Sequence, residues 1–564
     1  MNLPTMKTSV LSRIRLRRGV PTVLALVATL ALVSSAQAEV TYTWNGASAT
    51  DDNWFLVNDI DPAIFDSENF SPTPVYSDID NTDLVFVGTT RPNTILNSSY
   101  FGRVNFSARK LTFNTGANFS ITPDSGQELL IGSGGIDNQV AFQQTINSRV
   151  SLYSTSGTTP VNVAGGGEIV INGILNNAFQ VVEKTGSGTL TLNSFTQGPQ
   201  DVLRSQAGTI NLTAPNQSYG TNVEVNGGQV NLGQTSRLTG LGVSRVSGGV
   251  FSALGSVETS GSNTQAGLQM TSGTMIVGDK TYNTYGATIS GGTVVYSGAA
   301  GGGASFDSAG ASGARAMTIT GGVQTFGTGT FSTQTAVYPS VLVTGGTSTG
   351  FNATQGLTNN GGSITFTAKT SAILDQAKNT AADLTFTSGT VSIGTVAGGA
   401  TGIGALVNGS NLAPRNTTLG AGNTLKLDLN QAGLTKDLLI TTGTMNWGGT
   451  LAFNLTNTGT LSDSASWNSF FFSNSIKTGA FTGDLIAITM SASSIYNGLN
   501  FSRVGVTDIW TSTAASTGQQ FRFNESSGLL DIVPVPEPSS IVLAGLGLAM
   551  LGWRRLALRQ RAAA

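Results

Sequence analysis

Residues 181–212 read VVEKTGSGTLTLNSFTQGPQDVLRSQAGTINL and contain one short phrase twice, GTLTL from Gly188 and GTINL from Gly208. In both, a glycine leads alternating polar and apolar residues, with Leu190 and Leu192 in the first and Ile210 and Leu212 in the second. Upstream the phrase appears as GEIVI from Gly167, and downstream as GQVNL from Gly228, so the four glycines stand 21, 20 and 20 residues apart. It continues less regularly at Gly249, Gly273, Gly292, Gly362 and Gly389. Alternation of period two marks a strand that buries one side. A fixed period of about 20 residues marks a unit that cannot bury its apolar side alone and does so by stacking on its neighbours.

The expected fold is therefore all-β, a right-handed parallel β-helix or solenoid with coils of about 20 residues. Residues at every second position fill the core, the threonines and asparagines between them face water, and glycine takes the sharp turn into each strand because it has no Cβ to clash at positive φ. One break in the spacing, GAAGGGASFDSAGASGAR at residues 298–315, reads as a flexible loop inserted in one coil. No strand-to-helix context and no GKS or GKT follows it, which argues against a cofactor-cradling phosphate loop.

Composition agrees with an extended β-architecture and narrows the chemistry. The chain has 564 residues, of which 73 are glycine and only 10% are charged. Cysteine and histidine are both absent. No disulfide can hold the fold, and Ser-His-Asp and Cys-His nucleophile systems and His- or Cys-based zinc sites are excluded.

The N-terminus carries Lys7, Arg13, Arg15, Arg17 and Arg18, a mostly apolar run from Val20 to Val33, and then Ala36-Gln37-Ala38. This is a secretory signal with an A-x-A cleavage site at Ala36 and Ala38, read by the secretion translocon and signal peptidase. The apolar run is shorter than the roughly 20 residues a membrane span needs. Without residues 1–38 and the basic tail, 19 basic residues face 30 acidic ones, a balance that disfavours nucleic acid as a partner.

Two resemblances add to this reading. Lys184, Thr185, Gly186, Gly188, Thr189, Leu190, Thr191 and Leu192, with Ala207, Gly208 and Thr209, resemble the autotransporter-associated β-strand repeat, although NSFTQG replaces the usual centre of that repeat. The start of the expected mature chain, with Trp44, Trp54, Asn69, Phe70, Asp83 and Phe86, is similar to the segment that precedes such repeats, and residues 437–455 resemble their closing coils. The resemblance implies an exported, passenger-like β-helix. The membrane β-barrel that ends a true autotransporter is missing from the sequence pattern.

The end of the chain resembles instead the PEP-CTERM sorting signal of Gram-negative bacteria that make exopolysaccharide. Its marks are Pro536-Glu537-Pro538, an apolar run from Ile541 to Trp553, and Arg554, Arg555, Arg559 and Arg561. The resemblance implies a partner, the exosortase, a membrane-embedded transpeptidase that cleaves near the Pro-Glu-Pro. The residues agree with transient lodging: 13 apolar residues make a helix of about 20 Å against a hydrocarbon core of about 30 Å, and the arginines hold the tail on the cytoplasmic side.

Catalytic chemistry is sparse. From residue 205 to 400 the acidic residues are Glu224, Glu258, Asp279, Asp307, Asp375 and Asp383, with no two in one short motif. The acidic N-terminal loops, from Asp51 to Asp83, lack a complete EF-hand pattern and read as turn and capping residues rather than a Ca²⁺ site. Tyr282, Tyr285, Tyr296 and Tyr338 offer either a sugar-stacking strip or core packing.

The expected organisation is a signal peptide (1–38), an N-terminal β region that caps or starts the solenoid (39–145), solenoid repeats (146–400), a C-terminal β region that is either the solenoid end or a β-sandwich (401–533), and the sorting signal with a short transmembrane helix (534–564). The expected protein is a non-enzymatic structural or adhesive component of the cell surface or extracellular matrix, with no cofactor and no metal, membrane-associated through its C-terminal helix before processing. The alternative on the same scaffold binds or degrades exopolysaccharide.

Overall fold

The computed structural model describes, with short gaps inside these ranges, residues 40–54, 70–71, 82–393, 405–467, 481–535 and 538–561. Parallel strands stack into a β-solenoid, each central coil supplying three strands, one to each face. On the first face lie Val181–Thr185, Val202–Ser205, Asn222–Val225 and Ser244–Val246, each in parallel register with the next. The glycine-led phrases form the second face, Thr189–Thr196, Thr209–Leu212, Gln229–Leu232 and Val250–Ala253. The third face is a separate sheet that begins at Ser218–Tyr219 and runs through Arg237–Gly240, Ser256–Thr259 and Thr281–Asn283.

Register converts the alternation into a core. Ile169, Leu190, Ile210, Val230, Phe251, Met275 and Val294 are successive Cα partners and all are buried. Burying one such side chain stabilises by about 1.5–3 kcal/mol, and the rank repeats on every coil. Polar residues between them pair up and down the stack. Asn193 donates to Asn172, Asn172 to Asn147, and Asn147 to Thr122; Asn231 donates to Asn211 at 2.9 Å and Asn211 to Thr191 at 3.4 Å.

The coil length is not uniform. Partners in the Asn147–Asn172 step lie 25 residues apart, whereas those in the Asn211–Asn231 step lie 20 apart. In these early coils single long strands pair with two strands of a neighbouring coil, Glu128–Asn138 with Arg149–Leu152 and Thr158–Val163, and Glu168–Asn177 with Gln143–Ile146 and Arg149–Leu152. At the beginning, Val40–Trp44 pairs parallel with Thr82–Gly88, and Trp44, Trp54, Phe86, Phe106, Phe113 and Phe119 form one aromatic cluster.

The glycine-rich stretch expected as a loop holds a strand of the third face, Gly303–Asp307, parallel to Thr281–Asn283 on one side and Thr330–Thr333 on the other. Neighbouring coils supply its backbone partners, which composition alone does not register. Parallel coils continue through Thr417–Asn430 and Thr450–Thr456 to Ala487–Ala492. Beyond these coils the pairing turns antiparallel. Ser466–Trp467, Leu529–Pro534, Gln519–Asn524, Ile509–Ser512 and Phe501–Arg503, in that spatial order, form a five-stranded sheet. A single helix follows, Pro538–Arg561.

Candidate functional site: the closing sheet and the tail

Leu529–Pro534 is the last strand before the tail, and it lies inside the antiparallel sheet. Six residue pairs join it to Gln519–Asn524, from Asn524 opposite Leu529 to Gln519 opposite Pro534. Its apolar side, Leu530 and Ile532, is buried, and Asp531 on the other side pairs with Arg522 at 2.5 Å. The ladder runs one residue past the strand, where the Val535 amide donates to the Gly518 carbonyl at 2.9 Å.

Two polar networks fasten this sheet to the last coils. Gln519 Nε2 donates to the Leu461 carbonyl at 2.8 Å and to Asp463 at 2.6 Å, while the Tyr496 hydroxyl donates to Gln519 Oε1 at 2.5 Å and accepts from the Leu461 amide at 2.8 Å. At the other end, the buried Glu525 carboxylate accepts from Trp510 Nε1 at 2.7 Å, the Leu485 amide at 3.0 Å and Arg503 at 3.1 Å. Burial pushes its carboxyl above the ordinary glutamate range, against the opposing pull of these donors. Arg503 also holds Asp484 at 2.6 Å and keeps that carboxyl below its usual range.

The tail itself is a helix of 24 residues in which the described large apolar side chains, including Leu543, Leu548, Met550 and Trp553, are exposed. Among the described residues, no helix is long and apolar enough to cross a membrane. Its apolar portion ends at Trp553, where Arg554 and Arg555 follow, both exposed. Pro538 opens the helix, and Arg559 and Arg561 lie in its last turn. Ala36, Ala38, Pro536 and Glu537 lie outside the described residues.

The remaining candidates are mostly engaged within the solenoid. Glu224 binds Arg204 at 2.8 Å and Arg245 at 3.1 Å, Glu183 faces the other side of Arg204 at 3.5 Å, and Glu258 pairs with Arg237. Glu183, Arg204, Glu224 and Arg245 are successive register partners and form a ladder of alternating charge along the first face, whereas the Glu258–Arg237 pair lies on the third. Tyr282 sits in the core, its hydroxyl donating to the Ala253 carbonyl at 2.6 Å and accepting from the Gly278 amide at 2.8 Å, so it is unavailable to a surface sugar strip. Tyr285, Tyr338, Asp375 and Asp383 lie outside the described residues. Asp52 binds Arg91 at 2.6 Å, and Asp83 binds Arg109 through two bonds. Among the described residues no group of three or more acidic side chains is placed to hold a metal.

One residue matters more than motif matching indicated. Lys184 is fully buried, and its Nζ donates to the carbonyls of Thr185 and Gly186 at 2.7 Å and of Ala207 at 3.2 Å, tying the turn of one coil to that of the next. Burial pushes its ammonium down to about 8. The available signal was a lysine two residues before a turn glycine.

No curated protein and no solved structure matches the chain. A family model for the PEP-CTERM protein-sorting motif matches residues 534–556, a span that starts on the last residue of the closing strand and ends within the helix. The chain thus carries a PEP-CTERM protein-sorting motif, which implies an exported protein directed to an exosortase.

Proposed function

We propose that this protein is a non-enzymatic structural or adhesive β-solenoid of the cell surface or extracellular matrix, and that exosortase removes its tail after export. The observation that carries the reading is the order of parts: a sorting motif directly follows a solenoid closed by its own antiparallel sheet. The resemblance of residues 181–212 to autotransporter-associated repeats supports a passenger-like role. The pairing of Glu183, Glu224 and Glu258 with arginines supports a structural rather than catalytic use of these carboxylates. Pro536, Glu537 and Pro538 are the recognition residues in this reading, and Arg554, Arg555, Arg559 and Arg561 the cytoplasmic stop, with the helix lodged in the inner membrane until the cut.

The test is an internally tagged chain in which Pro536, Glu537 and Pro538 are replaced by alanine. The wild-type chain is expected to shorten and leave the membrane fraction, and the variant to stay full length and membrane-bound. If both remain full length and membrane-bound, the processing reading is wrong.

A further inference from the structure

Resting on that reading, we infer that one end of the closing sheet is the surface that docks against the membrane-embedded protease. Among the described residues the last hydrogen bond of the folded body is at Val535, and the helix begins at Pro538, so only Pro536 and Glu537 stand between them in the chain. Three residue steps span at most about 10 Å. A protease that grips an extended segment there must bring its own surface within that distance of the sheet.

Register identifies the surface it meets. Pro534 is opposite Gln519, and Ser512 is opposite Phe501, so the Thr513–Gly518 turn lies at the tail end of the sheet. The Gln519 bonds to Leu461 and Asp463 bring the Ser462–Ser464 turn to the same end. In the first turn, Thr513, Ala514, Ser516, Thr517 and Gly518 are exposed, and all are small and uncharged. Such a rim permits close approach. The Val504–Thr507 hairpin, by contrast, follows Arg503, which is opposite Trp510, and so lies at the far end of the same sheet. Its Val506 is wholly exposed.

The experiment places tryptophan at the two ends and follows processing of the full chain in cells by intact mass. Ala514→Trp and Ser516→Trp are expected to slow tail removal at least fivefold, and Val506→Trp to leave it unchanged. Inserting a ten-residue Gly-Ser linker between Val535 and Pro536 is expected to restore processing of Ser516→Trp, which separates steric hindrance from misfolding. Wild-type rates in Ala514→Trp and Ser516→Trp, equal slowing by Val506→Trp, or failure of the linker to rescue would overturn the docking surface. A wild-type chain that is never shortened removes the reading beneath it, and this proposal with it.

Discussion

Replacing Gly228 with alanine tests whether the turn glycines are required by stacking or only by backbone conformation. Gly228 has φ +65°, a region that costs an L-residue about 1–2 kcal/mol. A Cβ there would also stand 2.3 Å from the Gly208 carbonyl oxygen and 2.7 Å from the Ala207 carbonyl carbon, all backbone of the preceding coil. That oxygen already accepts the Gln229 amide at 2.8 Å, so relief requires moving one coil against the next. Overpacking of this kind costs about 1–3 kcal/mol more, giving a total of about 2–5 kcal/mol. Gly157 provides the control, since its φ is +74° but an added Cβ would meet nothing within 4 Å, leaving only the conformational cost. Denaturant unfolding reads the totals, and hydrogen exchange at the Gln229 and Val250 amides, which bond to the Gly208 and Gly228 carbonyls, reads the local effect. Gly228→Ala is expected to lose more stability than Gly157→Ala and to lose protection at both amides. Equal costs in the two variants, with protection retained, would refute the stacking argument.

Three further outcomes follow from the polar groups. Lys184→Met leaves three turn carbonyls without their donor and is expected to cost about 2 kcal/mol. Because burial lowers the Lys184 ammonium from 10.5 to about 8, the folded chain holds fewer protons than the unfolded chain between those values. Wild-type stability should therefore rise across that pH window relative to Lys184→Met, and parallel curves would contradict it. Tyr219 donates to the Leu192 carbonyl at 3.0 Å and burial raises its hydroxyl from 10.0 to about 12. It should resist ionisation in an absorbance titration at alkaline pH, and its share of stability should fall as pH rises from about 10 to about 12; Tyr219→Phe removes that slope. Arg204→Gln breaks the centre of the charge ladder and is expected to cost about 1 kcal/mol, less at high salt, as measured by paired melts.

The second face was the most legible part of the fold, because a glycine and two apolar residues at fixed offsets mark each of its strands. The first face was harder to place: Val202–Ser205 alternates correctly but carries no glycine of its own to set its phase. The third face begins with strands as short as Ser218–Tyr219, where two residues define no period, and Gly303–Asp307 was hidden by its glycines. Alternation in Gln519–Asn524 and Leu529–Pro534 indicates strands, but the switch from parallel to antiparallel pairing lies in the connections rather than in the periodicity. At the tail, the proline bracket, apolar run and arginines were plain in the sequence. The absence of any spacer between sheet and motif was not, because it depends on the Val535–Gly518 hydrogen bond. Lys184 was legible as a motif position, and its three carbonyl partners appear only when two turns stack.

Export followed by removal of the tail is tested most directly by the intact mass, with sequencing of both ends, of the wild-type protein recovered from outside the inner membrane. The expected product is a chain that begins near Glu39 and ends beyond Val535, keeping the Leu529–Pro534 strand in its sheet. A surface protein that retains the helix through Arg561, or one cut upstream of Leu529, would contradict it.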